Sequence, residues 1–110
     1  MASCEIRFIN ESGDPCSVVI FRPDPRLDGG VLAWRVIENA APGYQERFVF
    51  PGAILGADVL GGVVPGQVID DGALSEAAAS FPLDGIAAAD LVLGGSGESL
   101  AFSLRNVRDA

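Results

Sequence analysis

Any chemistry in this sequence has to be done with carboxylates, thiols and one phenol, because its 110 residues include no His and every basic side chain is Arg. That composition removes an imidazole base, Ser-His and Cys-His pairs, a Schiff-base amine and the His ligands of ordinary zinc sites. Cys4 and Cys16 cannot close a tetrahedral site by themselves. What remains is the set of Asp and Glu residues, the two thiols and Tyr44. The adjacent carboxylates Asp70 and Asp71 end an apolar run immediately before Gly72. That is the composition of a solvated turn more than of an acid/base dyad with separated pKa values.

The most site-like stretch is "FRPDPRLDGGVLAW", residues 21–34. Read as a calcium loop starting at Asp24, it places Asp28 at the fifth position and Gly29 at the sixth, as an EF-hand requires. The third and twelfth positions are Arg26 and Arg35, cations where ligands belong, so the EF-hand reading fails. "GGSGES" at 94–99 fails as a calcium nonapeptide and as a phosphate loop, lacking the aspartate of the first and the Lys of the second. A looser arrangement survives. If successive strands run antiparallel, the 23–30 connector and the turn after 63–70 project from one end and gather Asp24, Asp28, Asp70 and Asp71. That acidic end is the candidate calcium site, and apart from calcium there no cofactor is expected. Against it stand Arg22 and Arg26, which can pair with the same aspartates, and the general polarity of loops. Tyr44, at a strand start beside a turn, is the candidate ligand-binding ring, whereas Trp34 lies mid-strand and reads as core.

The formal net charge is −8. A field of that sign repels phosphate backbones and anionic headgroups, which argues against nucleic acid and membrane surfaces as partners. "MASCEIRFIN" carries no basic segment followed by an apolar one, so no signal peptide is expected. "VVIF" and the Gly-broken "AILGADVLGGVV" are too short or too interrupted for a membrane span. A cytoplasmic location is the expectation. With 49% hydrophobic and 20% charged residues the chain belongs among folded proteins, as a single domain over 1–110. A hairpin over "ESGDP" would set Cys4 and Cys16 about 16 Å out of register at the rise of a strand, so two reduced thiols are expected.

Short runs of Val, Ile, Phe and Leu bounded by Gly, Pro, Asp or Asn recur along the chain, the rhythm of a sandwich or barrel. Strands are predicted over 4–10, 16–22, 31–38, 44–50, 53–60, 63–70, 89–93 and 99–106. In the last, Leu100, Phe102 and Leu104 alternate with Ala101, Ser103 and Arg105, which puts three large apolar groups on one face. "LVLGGSGESLAF" reads as a hairpin, and Pro42-Gly43 as a tight turn into a strand. "SVVIF" and "VLAWRVI" are apolar on both faces, as in strands covered on two sides or meeting another subunit. Ala73 to Ser80 has helical propensity, with Asp71 as cap and Pro82 as stop. The Gly pairs at 29, 61 and 94 read as repeated turn chemistry and not as a sequence repeat.

The fold class expected is all-β, a mostly antiparallel β-sandwich of about eight short strands with one short helix near 73–80. The function expected is a non-catalytic interaction or structural module, self-associating through a sheet face or edge as a homo-oligomer or meeting a protein partner. Val18 and Ile20 are its interface candidates. The alternative is a ligand- or calcium-binding module using acidic loops at one end, and the third is a small enzyme acting through carboxylates in an apolar pocket.

Overall fold

The computed structural model describes residues 3–23 and 30–110. Within them nine strands form two sheets. They are β1 (Cys4–Asn10), β2 (Cys16–Pro23), β3 (Gly30–Ala40), β4 (Gln45–Phe50), β5 (Ile54–Val59), β6 (Val68–Asp70), β7 (Ala79–Pro82), β8 (Ile86–Gly94) and β9 (Ala101–Asp109). One sheet has the order β4-β1-β8-β9 and the other β6-β3-β2-β5-β7. Every pairing is antiparallel except β1 with β8, which is parallel. The all-β, two-sheet expectation holds.

Period-two alternation builds the core between the sheets. Ile6 and Phe8 of β1, Phe48 and Phe50 of β4, Leu91 and Leu93 of β8 and Phe102 of β9 meet Val18 and Ile20 of β2 and Leu55 and Ala57 of β5. Leu100 and Leu104 pack against that cluster beside Phe102, as the alternation in "SLAFSLRN" requires. Val18 and Ile20 are fully buried between the sheets. Their side chains therefore offer no surface to a partner, which corrects the interface assignment.

The "SVVIF" strand is apolar on both faces because the chain covers both itself. Val19 and Phe21 look away from the inter-sheet core and pack with Val31, Ala33, Val63 and Ile69, under Leu60 and Leu74. The 60–74 segment thus folds over the outer face of the five-stranded sheet. This closure explains why 63–70 is a strand only over its last three residues, with 60–67 crossing the sheet as a loop. It also absorbs apolar surface that the composition left for a subunit contact.

Two further expectations are corrected. No helix forms over 73–80: a 3-10 turn at Asp71–Ala73 is followed by a turn in which the Ala78 N–H donates to the Ser75 carbonyl at 3.1 Å, and then by β7. A two-turn helix has little stability in water, and Ala79 to Pro82 instead pair with Ile54 to Ala57. Nor do β1 and β2 form a hairpin, since residues 11–15 carry the chain from one sheet to the other. Asn10 holds that crossing. Its buried amide donates to the Ala40 carbonyl at 2.9 Å and the Asp14 carbonyl at 3.1 Å, and its oxygen accepts from the N–H and the hydroxyl of Ser12. Cys4 and Cys16 are free thiols buried in the same core. Burial, then the charge of Glu5, pushes the Cys4 thiol pKa up.

Candidate functional site

A charge sits in the middle of each of two largely apolar strands, Arg7 in "CEIRFIN", where Glu5 is also charged, and Asp90 in "IAAADLVLG". Alternation turns both outward, and the parallel register sets Arg7 opposite Asp90. Arg7 donates to both carboxylate oxygens of Asp90, from Nε at 3.1 Å and Nη2 at 2.7 Å, in a bidentate pair. A third donor comes from β9. Ala88 pairs with Arg108 and Asp90 with Arg105, so β9 carries one extra residue there, a β-bulge in which Asn106 has φ +51°. Asn106 Nδ2 donates to Asp90 Oδ2 at 2.7 Å. These groups hold the Asp90 carboxyl below the usual carboxylate range. The Arg7 hydrogen bonds contribute most, burial opposes them, and Asn106 with the charges of Arg7 and Arg108 adds to them. The same pairing raises the Arg7 pKa.

The network floors a groove of about 530 Å³ on the outer face of the four-stranded sheet, walled by Glu5, Arg47, Val107 and Arg108. That volume lies within the range of small-ligand sites. Arg47 stands beside Glu5 at 3.8 Å, with both side chains more than half exposed, a separation that leaves the guanidinium available. Arg108 makes no ion pair among the described residues. Three of the seven arginines of a strongly acidic chain thus line one groove. A carboxylate stabilised in its charged form is a weak base, so Asp90 is suited to holding Arg7 and Asn106 in place more than to moving protons.

A second depression, of about 730 Å³, lies between the Ser75–Ala77 turn and the Gly97–Leu100 segment, with Glu76 and Glu98 at its rim. Beside it, buried Asp58 accepts from the Ser75 N–H at 2.8 Å, the Ser75 hydroxyl and the Val59 N–H. Asp58 therefore pins the segment that covers the five-stranded sheet.

Of the acidic end read from the sequence, Asp24 and Asp28 lie outside the described residues. Asp70 pairs with Gly30, at the end of the sheet where the connector enters β3, and Asp71 follows it. Asp70 Oδ1 accepts the Gly72 N–H at 3.2 Å and so caps the turn. Among the described residues no group of three or more Cys, Asp or Glu side chains is placed to hold a metal. Tyr44 is 40% exposed, and its hydroxyl donates to Glu46 Oε1 at 2.7 Å, which raises the phenol pKa. Glu46 in turn pairs with Arg35. Tyr44 does not line the groove. Trp34 packs on Phe48 and Phe50 at centroid distances of 5.4 and 5.3 Å, the core role read for it.

The sequence reading missed the Arg7, Asp90 and Asn106 network. Its signal was a charge at the centre of each of two largely apolar strands, which an outward position with a partner satisfies. No helix among the described residues is long and apolar enough to cross a membrane. Comparison with protein-family models, with curated proteins and with solved structures yields no match.

Proposed function

We propose that this chain is a non-catalytic interaction module that works through the outer face of its four-stranded sheet, and that the partner seated there is a second copy of the chain. The observation that carries this reading is the unequal treatment of the two sheets. The outer side of the five-stranded sheet is packed under residues 60–74, with Val64 and Val68 left exposed on that covering segment, whereas the outer side of the four-stranded sheet carries the arginine groove, with Val49 on β4 60% exposed and Val107 on β9 46% exposed.

The edges are less suited to pairing than the face. β6 has three residues, β7 has four and ends in Pro82, β4 carries Glu46 and Arg47, and β9 has its bulge together with Arg105 and Arg108. Short, charged, proline-bearing or bulged edges resist strand addition. The molecule measures 36 by 32 Å across its two longer axes, which accommodates the roughly 800 Å² per partner of a standard interface.

Light scattering on a size-exclusion column, over a wide concentration range, tests the reading. The expected result is a mass of at least twice the 11.3 kDa chain that V49E returns to the monomer. A monomer at every concentration overturns it, as does an oligomer that V49E leaves intact.

A further inference from the structure

We infer that the groove recognises carboxylates, so that the face of one copy receives an acidic segment of the next in place of an identical face. The inference rests on the self-association reading above and assigns its chemistry. Within the groove, Asp90 is already saturated by Arg7 and Asn106. Glu5 offers Arg47 only a loose contact of 3.8 Å. The guanidinium groups left to meet an incoming molecule are those of Arg47 and Arg108, two planar donor forks on opposite walls of the groove.

Their shape fits the carboxylate of Asp or Glu in a bidentate pair. The chain supplies such anions in quantity, with fifteen acidic residues against seven arginines. Charge complementarity of this kind steers encounter and fixes which surface docks. Two identical faces would enclose the Arg47 and Arg108 guanidinium groups of both copies in one desolvated contact, against only the Glu5 carboxylates, since Asp90 is already held by Arg7. An acidic segment avoids that repulsion, and the contact becomes heterologous, with the groove on one molecule and the carboxylates on another.

The probe is a fluorescein-labelled peptide of Glu residues, titrated with the 110-residue chain while anisotropy is recorded, with a Lys peptide of equal length as control. The net charge of the chain repels the first peptide and attracts the second. Preferential binding of the acidic peptide therefore reports a local site. The expected result is saturable, salt-sensitive binding of the Glu peptide that falls at least about tenfold in R47E/R108E, a change of about 1.4 kcal/mol. Both positions are exposed, so the variant should keep a cooperative melting transition. R47Q/R108Q, which removes the charges without reversing them, should lose the same binding. Failure of the Glu peptide to bind, equal binding of the Lys peptide, or unchanged affinity in both variants overturns the inference. Peptide binding by a chain that stays monomeric at every concentration upholds the carboxylate chemistry while overturning self-association. An oligomer that ignores the peptide does the reverse.

Discussion

At the scale of single residues, Asp90 is the group whose ionisation the fold uses most directly. Its folded pKa lies below the unfolded value near 3.9, so its contribution to stability is present above that value and is lost as pH falls through the folded pKa. The melting temperature of the parent should therefore decline as the medium is acidified below about pH 4. In D90N, which cannot ionise, melting should begin lower at neutral pH and respond less to acid. Parallel curves of melting temperature against pH for the two proteins would show that the Arg7 pair contributes nothing through charge. Asn106 also marks what a sequence conceals. A left-handed Asn at a bulge is recognisable only once β8 and β9 are in register, because nothing in "LRNVRD" announces the extra residue.

At the scale of elements, β5 and β2 are held at a close approach that tolerates no side chain on Gly56. A Cβ there would lie 2.1 Å from Phe21 Cε1, inside any permissible contact. G56A should lower stability by about 1–3 kcal/mol or more, measured by urea unfolding, as overpacked cores do. F21L/G56A should recover part of that loss by removing the ring. If G56A were as stable as the parent, the packing of Phe21 over β5 would be wrong. Strands of this kind were legible because one or both faces are apolar. β9 showed itself through Leu100, Phe102 and Leu104, and β8 was read short because its opening Ile-Ala-Ala carries little alternation. The 73–80 stretch misled because the helix propensity of Ala is a local preference, and the outcome there was decided by pairing with Leu55 and neighbours far along the chain. The groove was illegible for a related reason. Its central pair joins residues 83 positions apart, through a parallel pairing that leaves no local trace.

At the scale of the whole molecule, the two sheets are assembled from the chain in different ways. The five-stranded sheet uses residues from Cys16 to Pro82 only, and its central β2–β3 pair is adjacent in sequence. The four-stranded sheet needs both ends, since β1 is flanked by β4 and β8. Folds dominated by such distant pairings fold slowly, in milliseconds to seconds. Stopped-flow refolding followed by Trp34 fluorescence should fall in that range. Pulse-labelled hydrogen exchange should protect β2 and β3 before β1 and β8. Protection of β1 and β8 together with the hairpin, in microseconds, would contradict this order.

The β1–β8 ladder has a further consequence, for the order in which a ribosome delivers the chain. Its first strand, β1, is made about eighty residues before β8, the strand that must lie beside it. At synthesis rates of about 5–20 residues per second, the β8-facing edge of β1 waits for several seconds before its partner exists. During that interval one edge of β1 stays open, even after β4 has paired with the other. The groove, whose floor is made by the same pairing, comes into being only once β8 and β9 are made, so a chain cut before β8 would keep much of the five-stranded sheet and have no site.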